Sequence, residues 1–144
     1  VNVYLAAASE SLAIAGGFMD RLEAAGHRVH RWDREVAAVR AAGKTDRDLS
    51  RSDRLHASAG DLQGIEDADV FWLLVPTEPS VGAWVEFGYA LACAVETGGE
   101  KPQLVVSGDA ARSIFLSQGH ETFPDHETAL RWILEQREPG SSDR

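Results

Sequence analysis

Along the chain, short apolar runs alternate with longer stretches of helical spacing, the pattern that builds a parallel sheet covered on both faces. Residues 1–6 (VNVYLA) read as a first strand, and residues 9–25 as a helix with Ser9 as its N-cap and Gly26 where a helix stops. Residues 27–32 alternate around Val29 and predict a second strand near an edge, while the Ala-rich 34–43 reads as a short helix or an ordered loop. Residues 46–67 are polar, yet Leu49, Leu55, Ala59, Leu62 and Ile65 recur at near-helical spacing and predict a helix. The unbroken apolar run 70–75 (VFWLLV), ended by Pro76, is the signature of a central strand buried on both faces. A buried helix over 81–97 closed by Gly98-Gly99, a strand over 103–106 and a short helix over 110–117 follow. An edge strand over 121–123 precedes a last helix over 126–137, capped by Asp125 and striped by Ala129, Leu130, Ile133 and Leu134. The expected fold is a single α/β domain over 1–137, doubly wound (Rossmann-like or flavodoxin-like), with a mainly parallel sheet of four or five strands. Residues 138–144 read as a frayed tail.

Composition narrows the partners. The 144 residues suit one domain, and fourteen Lys and Arg against twenty-three Asp and Glu give a net charge of -9, which repels nucleic-acid polymers and anionic membranes. No run approaches the length a bilayer requires, and the strand-like start lacks a charged segment before an apolar one, so a soluble, cytoplasmic protein is expected. Cys93 is the only cysteine, which excludes an intrachain disulfide and a thiolate cluster; its apolar surroundings predict a buried, inert thiol. The histidines at 27, 30, 56, 120 and 126 lack metal-ligand spacing, so neither a metal nor a cofactor is expected. P-loop, G-x-G-x-x-G, H-E-x-x-H and G-x-S-x-G signatures are all missing.

Candidate chemistry concentrates between residues 61 and 91. Glu86 is the only charged side chain from 81 to 95, so it either faces a cleft or is an expensive buried carboxylate. Its neighbours three and four residues away are Gly82, Ala83, Tyr89 and Ala90, three of them small enough to leave room for a ligand. In an open α/β sheet ligands bind beyond the carboxyl ends of the strands, where the early turns of the helix after the central strand lie. Ser80 sits where it either caps that helix or joins a phosphate site with the Gly82 N–H. The first loop, Ala6 to Ser9, is placed to line the same cleft but offers no Arg, Lys or Gly, and Glu10 follows it. Arg47, Arg51 and Arg54 share a helical face; they form either a cationic lid or, interleaved with Asp46, Asp48 and Asp53, an ordinary salt-bridged surface. Trp32, Trp72 and Trp132 are expected at the core, and Trp84 at an interface or over a base.

DLQGI (61–65), Asp69 ahead of the apolar strand, and PSVGAWVEFGYALA (79–92) resemble the nucleoside 2-deoxyribosyltransferase-like superfamily, which includes the deoxyribosyltransferases and the nucleoside 5'-monophosphate N-glycosidases. The resemblance implies that Glu86, in E-x-G-x-A, is a nucleophile on the anomeric carbon and that Asp61 assists the departing base. It implies substrate contacts from Tyr4, Ala6 and Ser9 on the first strand and loop, from Ser80 and Gly82, and from Ser113 or Ser117 supplied by a neighbouring subunit of a homodimer. Ser80 stands where the glycosidases carry a phosphate-binding serine and the transferases an aspartate. The C-terminal tyrosine of the transferases is absent, since the tyrosines here are Tyr4 and Tyr89. The expected activity is cleavage of the base–sugar bond of a small nucleotide or nucleoside. The alternatives are deoxyribosyl transfer, a non-catalytic nucleotide sensor, and an interaction domain in which Glu86 has no chemical role.

Overall fold

The computed structural model describes residues 1–137; the expected tail, 138–144, lies outside the described residues. Five strands, β1 (Asn2–Ala6), β2 (Arg28–Val29), β3 (Val70–Leu74), β4 (Gln103–Ser107) and β5 (Glu121–Phe123), form one all-parallel sheet in the order β2-β1-β3-β4-β5. Five helices connect or follow them: α1 (Leu12–Ala24), α2 (Trp32–Ala41), α3 (Arg51–Asp67), α4 (Val81–Glu96) and α5 (His126–Leu134). This is the doubly wound α/β fold read from the sequence. The chain leads outward in opposite directions from β1 and β3; right-handed crossovers, the rule for parallel strands, put the helices of the two directions on opposite faces, and α1 packs with α5 and α3 with α4. The reversal of direction opens a crevice at the carboxyl ends of β1 and β3. Tyr4 of β1 pairs with Phe71 of β3 in register, and their rings stack 5.8 Å apart.

Burial explains why β3 is central: every residue from Val70 to Pro76 is buried, and Trp72 is fully so, its Nε1 donating to Ser107 Oγ at 2.8 Å. A parallel strand covered by helices on both faces needs such an uninterrupted apolar run. Gly26, with φ +92°, lets the chain leave α1 in a conformation that other residues rarely adopt.

Several boundaries differ from the sequence reading. The second strand is only Arg28–Val29, because Trp32 already opens α2 and anchors it by donating from Nε1 to the Leu5 carbonyl at 2.7 Å. The ambiguous Ala-rich stretch is therefore helix. Ser9 does not cap α1; it begins a separate 3-10 turn, Ser9–Ser11, without a side-chain cap, and α1 starts at Leu12. Helix α3 begins at Arg51, since Leu49 is extended and Ser50 Oγ accepts from the Asp53 N–H at 3.0 Å. The expected helix over 110–117 is two 3-10 turns, Ala110–Arg112 and Ile114–Gln118, separated by an extended Ser113. Asp125 does cap α5, accepting from the Thr128 N–H at 2.7 Å, but the helix ends at Leu134. Cys93 is half-buried, not buried, although the burial it has raises its thiol pKa and keeps it protonated near neutrality. Among the described residues no helix is long and apolar enough to cross a membrane.

Candidate functional site

Four polar side chains meet where the β1 face of the sheet packs against α3 and α4. Tyr4 points from β1 toward the α3–α4 layer, where its hydroxyl donates to Glu86 Oε2 on the second turn of α4. Glu86 Oε1 accepts no hydrogen bond among the described residues. His30, just past β2, stacks on the Tyr4 ring with centroids 5.5 Å apart, and its Nε2 lies 2.9 Å from Asp61 Oδ1 on α3. The His30 and Asp61 side chains are 29 % and 31 % exposed, so this pair reaches solvent while the phenol beneath it is buried.

Gly64 makes this approach sterically feasible. A Cβ at position 64 would stand 2.8 Å from His30 Cγ and 3.1 Å from Tyr4 Cδ2, closer than carbon atoms pack. Helix α3 can therefore lie against the rings only with glycine there, and Asp61, one turn earlier, is set beside His30.

Electrostatics follows from the enclosure. Burial pushes the Glu86 carboxyl up to about 7, with the Asp61 charge adding to the rise, while the Tyr4 hydrogen bond and His30 oppose it. Burial and the neighbouring carboxylates hold the Tyr4 phenol far above its usual range, so it remains a donor. The hydrogen bond to Asp61 raises His30 despite partial burial, favouring imidazolium. The arrangement offers a carboxylate with one free oxygen, a phenolic donor that steadies it, and a carboxylate–imidazole pair that holds a mobile proton.

The other expected residues fall in three places. Asp61 and Gly82 line a cleft of about 550 Å³ between α2, α3 and the start of α4, with Trp32 in its wall. Ser80 caps α4, accepting from the Ala83 N–H at 3.4 Å, which favours the capping reading over a phosphate ligand. Ala6 is buried in β1, and half-buried Ser9 lines an adjoining cleft of about 390 Å³ while its carbonyl accepts from Arg40 Nη1 at 2.9 Å. Ser113 lies across the opposite side of α4, in an apolar groove with Trp84, Gly88 and Phe115, and Ser117 is exposed, donating to the Ile114 carbonyl at 2.7 Å. Within one chain neither serine joins the Tyr4–Glu86 cluster, and Trp84 faces that groove instead of the carboxyl. Arg47, Arg51 and Arg54 are exposed as expected of a surface, but among the described residues none forms an ion pair with Asp46, Asp48 or Asp53; Arg54 Nη1 donates instead to the Leu49 and Asp46 carbonyls, at 2.7 and 3.5 Å.

His30 is the residue the sequence reading passed over. Its spacing from the other histidines carries no metal signal; its signal is positional, a polar ring at the carboxyl end of a strand next to the sheet's point of reversal.

Fold and site together define a doubly wound α/β domain with an enclosed carboxyl at its crevice. Comparisons with protein-family models, curated proteins and solved structures find no match to this chain.

Proposed function

We propose that the protein is a cytoplasmic N-glycosidase that cleaves the base–sugar bond of a small nucleoside or nucleotide, working as a homodimer. The observation that carries this reading is the Glu86 carboxyl, held through Oε2 by Tyr4 with Oε1 free, beside the Asp61–His30 pair. Breaking an N-glycosidic bond builds positive charge on the anomeric carbon and negative charge on the base, which calls for an anionic group on one and a proton source on the other. In the first step Glu86 Oε1 bonds to the anomeric carbon as the carbon–nitrogen bond breaks, and the leaving nitrogen takes a proton from the Asp61–His30 pair. In the second, a water oxygen bonds to the same carbon, the ester to Glu86 breaks, and the water's proton returns to the pair. Tyr4 stabilises the carboxylate as it departs.

Ser113 and Ser117 enter this scheme only from a second copy, and the exposed apolar positions of α4 and the neighbouring 3-10 turn supply a surface for one. The alternative activity, deoxyribosyl transfer, replaces the water with a second base. A non-catalytic sensor is favoured by the first loop, whose Ala6, Ala7 and Ala8 are buried and bring no cationic side chain to the crevice.

The test is chromatographic detection of free base from ribo- and deoxyribonucleosides and their 5'-monophosphates, with and without a second base. Wild-type protein is expected to release base, and Glu86→Gln to lose at least about a thousandfold in kcat. Base exchange would support transfer; binding without release would support the sensor. Undiminished turnover by Glu86→Gln would remove Glu86 from the chemistry.

A further inference from the structure

Side chains alternate across β3, so Phe71 faces Phe87 of α4 while Trp72 faces Phe18 of α1, on the side of the sheet away from Glu86. From Trp72 a chain of hydrogen bonds runs to α5. The indole Nε1 donates to Ser107 Oγ at 2.8 Å, and that oxygen lies 2.7 Å from His126 Nδ1. Trp72 belongs to the central strand, Ser107 closes β4, and His126 is the first residue of α5. Trp72 and Ser107 are fully buried, and His126 is half-buried with its ring edge-to-face with Phe18 at 6.0 Å. Gly108, with φ +110°, passes so close that a Cβ there would stand 3.6 Å from His126 Cε1. The ring is therefore held between α1 and the end of β4.

The three groups fix where each proton lies. An indole N–H only donates, so Ser107 Oγ accepts from Trp72, and the single hydroxyl hydrogen goes to its other partner, His126 Nδ1. That nitrogen is then an acceptor, which makes the ring neutral with its proton on Nε2. A second proton, on Nδ1, would put two hydrogens between the same pair of atoms. The hydroxyl has no further hydrogen-bond partner among the described residues, so turning it away leaves a buried donor unpaired. Among the charged groups nearby, Asp125, the N-cap of α5, favours the cation, while Arg21 of α1 and Glu127 of α5 pair with each other at 2.6 Å. The strand ends bring only the uncharged Trp72, Val75, Ser107 and Gly108 to the ring, and the amino end of a helix disfavours a cation. Burial outweighs Asp125 and lowers the His126 pKa from its ordinary value of 6.5.

We propose that the Trp72–Ser107–His126 chain is an acid-sensitive latch, which ties the first turn of α5 to the centre of the sheet while the ring is neutral and releases it when the ring gains a proton. On release, Nδ1 takes a proton from solvent and the bond from the Ser107 hydroxyl breaks. The latch stands on the face opposite Glu86 and does not depend on the reaction proposed there. The unfolded chain takes up this proton more readily than the folded one, so the stability that the latch contributes is complete above the ordinary histidine value and is lost as pH falls through the lower, folded one.

Two readouts test it. In a pH titration by NMR, the wild-type His126 ring is expected to show an unprotonated Nδ1 near neutrality and a midpoint below 6.5. Ser107→Ala removes the hydroxyl that bonds the neutral ring, so the midpoint should move up in that variant. A wild-type midpoint at or above 6.5 would overturn the proposal, and this result decides even where a variant fails to fold. A midpoint that Ser107→Ala leaves in place would overturn it as well. The second readout is urea unfolding of wild type and His126→Asn, whose side-chain oxygen keeps an acceptor for Ser107 but gains no proton. Below pH 6.5 the wild-type folding equilibrium constant should fall more steeply than that of the variant, by up to about tenfold per pH unit. His27, whose pKa burial also lowers, titrates in both proteins and drops out of the comparison. Amide hydrogen exchange in the first turn of α5 should accelerate over the same range in wild type alone. Parallel pH profiles, or exchange that quickens equally in both proteins, would show that His126 is no latch.

Discussion

At the scale of single residues, the chemistry turns on one proton. In the proposed reaction Glu86 attacks only when ionised, and enclosure has moved its ionisation from the usual carboxylate range to about 7. Base release should therefore rise with pH through that region. The Tyr4 hydroxyl pulls in the other direction, because its hydrogen bond favours the ionised form. Deleting that donor in Tyr4→Phe leaves burial and the Asp61 charge unopposed except by His30, so the Glu86 pKa must rise further. A hydrogen bond to a charged group contributes roughly 1.5–3 kcal/mol, which corresponds to about one pH unit or more. The acidic limb of kcat/KM for Tyr4→Phe is expected to move upward by about that amount, read from a full pH profile of both proteins. A limb that stays in place or moves down would show that Tyr4 is not what steadies the carboxylate.

At the scale of elements, α3 carries the site because Gly64 lets it approach the Tyr4 and His30 rings. Gly64→Ala is expected to push His30 off the phenol, lowering stability by about 1–3 kcal/mol as overpacking does and reducing turnover with it. Gly60→Ala, one turn earlier on the same helix with nothing within 4 Å of the new Cβ, should instead stabilise by roughly 0.5–1 kcal/mol through helix propensity. Thermal unfolding of the two variants separates crowding from propensity, and equal shifts would refute the packing argument. The same contrast explains what the sequence did and did not reveal. The run at 70–75 and the lone charge in α4 are strong local patterns, so β3, α4 and Glu86 were legible. Asp61 beside His30 was not: the two are thirty-one residues apart, and their meeting depends on the crossover through α2. The second strand was overextended because periodicity around Val29 cannot reveal that the Trp32 indole would find the Leu5 carbonyl and open a helix. Ser50, the N-cap of α3, lies inside an uninterrupted helical spacing that gives no reason to break at Leu49.

At the scale of the whole molecule, the proposed dimer makes its most specific demand on the exposed apolar surface of α4. Val81, Val85 and Val95 are 82 %, 59 % and 79 % exposed, and they recur with Gly88 and Ala92 as a stripe along one side of the helix. Ile114 and Phe115, 83 % and 63 % exposed, extend this apolar surface beside Ser113. Contiguous apolar patches of this kind mark interaction surfaces, and one that meets its own copy about a two-fold axis closes without leaving a free face. Such a pairing would bring Ser113 and Ser117 of one copy toward the α4 of the other, on the helix that carries Glu86. Light scattering is expected to give twice the 15.6 kDa chain mass. Val85→Glu places a charge in the centre of the stripe and should yield a folded monomer, since Val85 is exposed and packs little of the core. If the partner's serines complete the site, this monomer loses base release while its circular dichroism stays native. A monomer with full turnover would confine the reaction to one chain, and a variant that remains dimeric would move the interface away from α4.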